Sequence, residues 1–170
     1  LSWYRKSAKQ GCDSAQFNLG QMYRMGDRVR KNLRTAINWY RKAADGGNVG
    51  AMVHLAGIYG GEEDHRADIR ECIRWIKKAA RRGDAESQCD LGVHYINADG
   101  VPLNEKKAVR LYRQSALQGY EWAAYVLGLC YRDGRGVRQN RRWARHWFTV
   151  AANKKVAEAK KALTVLSRSQ

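Results

Sequence analysis

An all-α stack of helix hairpins is the fold this sequence predicts, and three observations carry the prediction. The first is a period of 36 residues: Gly11, Gly47, Gly83 and Gly119 fall on one column, Ala15, Ala51, Ser87 and Ala123 on a second, Tyr23, Tyr59, Tyr95 and Tyr131 on a third. The second is a run of paired small residues at the same step, Ala43-Ala44, Ala79-Ala80, Ser115-Ala116 and Ala151-Ala152. The third is the single proline, Pro102, which leaves long helices permitted. A fixed period of this length marks stacked supersecondary units, none of which can bury its apolar face alone.

Taken in order, residues 1–10 carry Trp3, Tyr4, Ser7 and Ala8, one period before Trp39, Tyr40, Ala43 and Ala44. They read as the second helix of a repeat whose first helix lies upstream, so the chain is expected to be a piece of a longer protein. Full repeats are expected at 11–46, 47–82, 83–118 and 119–152, with a closing helix at 153–170. In the first of them, Ala15, Leu19, Gly20 and Tyr23 fall at helical spacing, a Gly26 loop follows, and Ala36, Ile37, Trp39, Tyr40, Ala43 and Ala44 form a second helix. Small residues at Ala15, Gly20, Ala36 and Ala44 let the helices approach closely. The second repeat departs in its loop, Glu62, Glu63, Asp64 and His65, which reads as a solvated loop; consecutive acids without a distant ligand group do not make a metal site. Asn48 and Asp84 stand where a short polar side chain caps a first helix. The loop Gly134-Arg135-Gly136-Val137 is glycine-rich, but it joins two helices and is no phosphate cradle. The tail keeps the column at Ala159 and Leu163 and adds Lys154, Lys155, Lys160 and Lys161, as a closing helix with a polar outer side would.

The formal net charge of +16 and pI near 10.1 point to an anionic partner, an acidic protein, nucleic acid or an anionic membrane surface. The competing reading is that Lys and Arg solvate the outer helix faces. No apolar run approaches membrane-spanning length. The four cysteines sit on four different columns. Cys72 replaces Ala36, Ala108 and Ala144; Cys89 replaces Phe17, Val53 and Tyr125; Cys130 replaces Met22, Ile58 and His94. They read as thiols at small or apolar packing positions, which leans towards a reducing, cytoplasmic compartment and leaves periplasmic or secreted placement open.

From Ala123 to Ala152 the chain spells Ala-x3-Leu-Gly-x2-Tyr-x2-Gly-x-Gly-Val, then Ala-x2-Trp-Phe-x2-Ala-Ala. This resembles the Sel1-like repeat family, a relative of the tetratricopeptide repeats, and the resemblance runs over essentially the whole chain. Departures are Ala56 for Gly, Leu111 for Trp, the loop of the second repeat and the tail. The resemblance implies a right-handed α-α superhelical solenoid, with first helices lining the concave side and second helices the convex side. It also implies an adaptor for protein assembly or, as in some bacterial members, an immunity protein that neutralises a toxin. The family motif is structural and brings no catalytic residues and no cofactor. A cysteine-rich branch carries regular disulfides, and its cysteine spacing is absent here.

Columns that obey the period should be core, so Trp3, Trp39, Trp75 and Trp147 are expected to pack inside. Trp122 and Trp143 break otherwise small or polar columns, and Tyr120 replaces a cap. Trp122 reads equally as packing and as an aromatic anchor for a partner, Trp143 more as packing against the closing helix or a second copy. Helical spacing groups Asn18, Gln21 and Met25, then His54 with Gly57, then Asp90, Val93 and Asn97, then Trp122, Val126, Leu129 and Asp133 on the face expected to be concave. That face runs from polar to apolar and suits a peptide or helix laid along it. His54 and His94 read as plain polar residues, and no pairing of base with nucleophile can be argued. On second helices, Arg34, Arg70, Lys106 and Arg142 form a basic column, extended by Arg74 and Arg110, with Arg41, Lys77 and Arg113 a turn further on.

The expected function is therefore a non-enzymatic protein-protein interaction module that takes a protein or peptide partner in the groove. The alternative is a polyanion-binding module using the basic ridge on nucleic acid or anionic lipid, weakened by the lack of interleaved aromatics. No cofactor is called for, and the residues leave self-association open.

Overall fold

The computed structural model describes residues 2–62 and 66–168, and among these residues it forms ten α-helices and no strand. A first compact unit, residues 1–82, holds α1 (Ser2–Lys9), α2 (Asp13–Met25), α3 (Leu33–Asp45), α4 (Val49–Gly60) and α5 (Ile69–Arg81). A second, residues 83–170, holds α6 (Ala85–Asn97), α7 (Glu105–Leu117), α8 (Glu121–Asp133), α9 (Arg141–Asn153) and α10 (Ala157–Arg168). Within each unit every helix packs on the next, most extensively in the hairpins α2–α3, α4–α5, α6–α7 and α8–α9. The fold is the all-α solenoid of antiparallel hairpins that the period predicts. Glu63, Asp64 and His65, the loop read as solvated, lie outside the described residues.

The turn glycines earn their column. Gly11, Gly47, Gly83 and Gly119 have φ of 91°, 99°, 91° and 92°, a left-handed backbone that side-chain-bearing residues rarely adopt. One residue on, Asn48 and Asp84 cap α4 and α6 as expected, their side chains accepting from the Ala51 and Ser87 N–H groups. Cys12 and Tyr120 hold the same position with no side-chain cap. A second cap column went unread in the sequence. Asn32, Asp68, Asn104 and Asn140 start α3, α5, α7 and α9 and accept from the backbone N–H of Thr35, Glu71, Lys107 and Trp143. Each such cap is worth about 1 kcal/mol.

Close helix approach comes from a glycine set against an aromatic ring. A Cβ placed on Gly20 would lie 2.6 Å from the Tyr40 ring, and one on Gly92 or Gly128 would lie 2.5 Å from Tyr112 or Phe148. Tyr40, Tyr112 and Phe148 are all but fully buried. The departure at Ala56 now has a reason. One period from Tyr40 and Tyr112 stands Ile76, narrower than a ring, so its column partner can carry a methyl group. Both residues are buried.

The tyrosine column joins neighbouring repeats. The carbonyls of Tyr23, Tyr59, Tyr95 and Tyr131 accept from the N–H of Asn32, Asp68, Asn104 and Asn140 at 2.8–2.9 Å, which closes each hairpin loop. The hydroxyls of Tyr59 and Tyr131 accept from Arg41 and Arg113 of the preceding second helix at 2.6 Å, and that of Tyr23 from Arg5 at 3.3 Å. Tyr95 accepts from Lys107 at 2.7 Å. Arg41 and Arg113, expected as part of an open basic ridge, are thus tied into the frame.

Two of the four column tryptophans correct the expectation. Trp75 and Trp147 are buried, Trp39 is half-buried against the Ala8, Ala15 and Leu19 cluster, and Trp3 is 70% exposed. Within its unit α1 packs on α2, and Trp3 lies edge-on to Tyr4 of its own helix. Its column position therefore does not secure the cover that Trp147 receives.

No disulfide joins the four cysteines; Cys12 is exposed and the other three are buried. Burial pushes the Cys89 thiol up to about 12 and the Cys130 thiol up to about 11. The nearby Ala15 backbone N–H, then the Ser7 side chain, lower that of Cys12. With folded pKa values above the unfolded one, both buried thiols contribute stability that is fully present below about pH 9.0 and is lost as pH rises towards 11–12. Unfolding midpoints in urea should therefore fall above pH 9.0 and flatten in Cys89→Ala with Cys130→Ala. In native protein a thiol reagent should find Cys12 fast and the buried thiols only on unfolding; equal reactivity of all four would contradict this packing.

Candidate functional site

In the first unit the positions expected on the first-helix face are largely engaged with one another. Gln21 Oε1 accepts from the Tyr40 hydroxyl at 2.8 Å and from Arg24 Nε at 3.3 Å, and Gln21 Nε2 sits 3.2 Å from His54 Nε2. The His54 ring stacks on Phe17 and Tyr40, at 5.6 and 5.3 Å between centroids. His54 is thus a member of a half-buried polar-aromatic stack, which goes further than the plain polar reading. Asn18 is half-buried, and Met25 is 68% exposed at the end of α2.

In the second unit the same period brings different chemistry. The positions held by Gln21 and His54 on α2 and α4 are held by Val93 and Val126 on α6 and α8, both half-buried. Where the first unit sets two polar side chains against each other, the second has two valines at the corresponding positions. Bulk is also exchanged. On α4 a Cβ at Gly50 would lie 3.3 Å from the Phe17 ring of α2. On α8 that glycine is Trp122, and the facing position on α6 is the small Cys89. Trp122 remains 42% exposed and lies 5.1 Å from the Tyr125 ring, which in turn lies 5.8 Å from the buried Phe148. The indole is therefore footed on the core through Tyr125 while presenting a large face to solvent. Half-buried Leu129 continues the stripe along α8. Tyr125, next to Trp122, is the neighbour that sequence columns did not single out.

The remaining predicted positions separate. Asp133 is exposed but bound by its neighbour Arg132, whose Nε and guanidinium NH2 donate at 2.6 and 2.8 Å, and this pairing holds its carboxyl below the usual range. Asp90 and Asn97 are exposed on α6. His94, facing the loop, is 3.1 Å from an Asp99 carboxylate oxygen. Trp143 is 48% exposed; it stacks on Tyr131 at 6.0 Å and meets His146 edge-on at 5.4 Å, so its packing partner is the tyrosine column of its own hairpin. Among the described residues, no group of three His, Cys, Asp or Glu side chains is arranged to hold a metal ion.

Charge divides by helix type in the second unit. Helices α6 and α8 carry Glu86, Asp90, Glu121 and Asp133 against the single base Arg132. Helices α7 and α9 carry Lys106, Lys107, Arg110, Arg113, Arg141, Arg142 and Arg145 against Glu105 alone. In the first unit α2 and α4 hold only Asp13 and Arg24. Of the predicted ridge, Arg34, Arg70, Arg74, Lys106, Arg110 and Arg142 are all exposed. Part of the basic excess has a packing role. Lys42 lies over Trp39 at 4.7 Å, while Lys78 and Arg74 flank Trp75 at 4.1 and 5.6 Å. Arg74 also pairs with Glu71 at 3.0 Å. Cations laid on indoles at these distances stabilise helix surfaces by about 0.5–1 kcal/mol each.

Comparison with known proteins adds further findings. The model of the Sel1 repeat matches residues 1–12, 13–48, 49–84, 85–120 and 123–156. A protective antigen of uropathogenic Escherichia coli with an SLR fold superposes with a TM-score of 0.86 at 31% identity, over 93% of this chain and 34% of that one. A Sel1 repeat protein from Oxalobacter formigenes gives 0.78 at 31% identity, over 95% of this chain and 64% of that one. This chain thus spans about a third of the first relative and under two thirds of the second. An immunity protein from Pseudomonas aeruginosa gives 0.55 at 25% identity, over 92% of this chain and 56% of that one. No curated protein sequence matches. No helix among the described residues is long and apolar enough to cross a membrane.

Proposed function

The chain belongs to the Sel1 repeat family, whose members are generally protein-interaction modules and typically non-catalytic scaffolds, and from that premise we propose that it binds a protein partner through the α6 and α8 face, with Trp122 as anchor. One observation carries the reading. Trp122 occupies a column otherwise held by Ser14, Gly50 and Glu86, yet keeps 42% of its surface in solvent beside Val126 and Leu129. An exposed tryptophan set on a rigid aromatic base is what binding hot spots use. Val93, Asp90 and Asn97 flank it on α6. Asn18 and Met25 of the first unit offer a further contact surface, whereas Gln21 and His54 are committed to their own stack. An adaptor or a toxin-neutralising protein are two forms of this function, the second supported by the likeness to the Pseudomonas immunity protein.

The test is to purify the native partner with the tagged chain and measure its affinity for variants. Trp122→Ala is expected to weaken binding by about 30-fold, as for an interface residue worth 2 kcal/mol, and Leu129→Ala by less. Unchanged affinity in both would sink the reading. The polyanion alternative rests on the six exposed ridge residues. Its signature is binding to duplex DNA or anionic vesicles at low salt that collapses steeply as salt rises, and no binding at low salt would remove it.

A further inference from the structure

From the exposed carboxylates that share Trp122's column and adjoin it in the chain, we infer that the segment docking on the α6 and α8 face is positively charged: a basic stretch of a separate protein with one apolar side chain for the Trp122 step. This rests on the reading of that face as the docking surface and adds the chemistry of its occupant. The whole chain, at +16, suggests the opposite partner. Locally, however, Glu86 and Glu121 are exposed at the N-terminal ends of α6 and α8, Glu86 in Trp122's own column one period earlier and Glu121 next to Trp122 in the chain. The base on these two helices, Arg132, lies at the far end of α8 and is held by Asp133. Tyr120 senses the same field. Its hydroxyl is pushed up to about 12, first by burial and then by Glu86, with Asp90 and Glu121 adding to it.

The equivalent face of α2 and α4 carries no such excess of acid, so the carboxylates are not a general feature of first helices here. They are a local departure placed beside the apolar departure. A basic segment is repelled by the arginine-rich α7 and α9 and finds its counter-charges on α6 and α8. Complementarity of this kind sets orientation and rejects wrong partners more than it adds affinity. An acidic segment would meet like charge at the anchor and be drawn to the opposite helices.

Two fluorescently labelled peptides of the same amphipathic pattern test this, one built of Lys and Leu and one of Glu and Leu, titrated with the full chain and read by anisotropy. The Lys–Leu peptide is expected to bind about tenfold more tightly than its Glu–Leu counterpart, and Glu86→Gln with Glu121→Gln should weaken it about tenfold. Trp122→Ala should weaken it as well, and Arg110→Gln should not; thermal melts confirm that each variant is folded. The proposal is overturned if the Glu–Leu peptide binds equally or better, if neither peptide binds, or if the carboxylate substitutions change nothing. It is also overturned if those substitutions abolish a self-association of the chain, which would make a second copy the occupant. Glu–Leu binding that is lost in Trp122→Ala would reject the charge class and leave the docking face standing. Binding of either peptide that ignores Trp122→Ala would reject the face itself.

Discussion

Phe148→Ala is expected to remove about 3–5 kcal/mol of stability, the range for deleting a fully buried aromatic side chain. The ring has no solvent exposure, fills the space that Gly128 leaves on α8, and supports Tyr125 at 5.8 Å. Truncation leaves a cavity between α8 and α9 that a frame of repeated close contacts can only partly close. In a solenoid the loss should be felt first in the neighbouring helices, so hydrogen exchange in α8, α9 and α10 should accelerate before that in α6 and α7. Chemical unfolding and exchange together check this. A loss under about 1 kcal/mol would mean that the ring is not the keystone of this hairpin. Because Tyr125 carries Trp122, the same variant should also lose partner affinity while Trp122 itself is intact.

Gly92→Ala is expected to destabilise by about 1–3 kcal/mol, the usual effect of overpacking a well-filled core. That would outweigh the helix-propensity gain of about 1 kcal/mol that alanine brings over glycine. The added methyl would meet two atoms of the Tyr112 ring at 2.5 and 2.8 Å, and Tyr112 is too buried to swing aside. The second repeat supplies the remedy, since Ala56 coexists there with Ile76. Tyr112→Ile should cost stability alone yet restore part of it in the Gly92→Ala background. A double-mutant cycle showing simple additivity would mean that the glycine is held for another reason.

These contacts explain which parts of the molecule were legible in the sequence. Close packing repeats wherever the same two columns face each other, so small residues such as Gly20 announce themselves, whereas the ring each glycine faces does not: the sequence suggests Trp39 and Tyr23 as the fillers, and Gly20 meets Tyr40. The cap column Asn32, Asp68, Asn104 and Asn140 was equally periodic, but its meaning emerges only when the side-chain oxygens are seen on the backbone amides. Trp3 shows that a shared column does not guarantee shared cover. A column gives a residue's direction from its helix, whereas burial depends on what lies over it. Asp133 shows a further gap, because face membership cannot reveal that Arg132 has already taken its carboxylate. The acidic character of α6 and α8 was hidden by summation. A net +16 is a property of the chain, while the acids of α6 and α8 are visible only after charges are assigned to helices.

The exchange of Gly50 and Phe17 for Trp122 and Cys89 shows how much side-chain volume the frame lets two neighbouring helices trade. Bulk stands on the other helix of the pair while the glycine turns and the bonds to the tyrosine carbonyls recur unchanged, and the α8 cap changes with it, Asn48 giving way to Tyr120. Two positions of the period therefore vary widely in volume while the turns and loop bonds that hold the hairpins repeat.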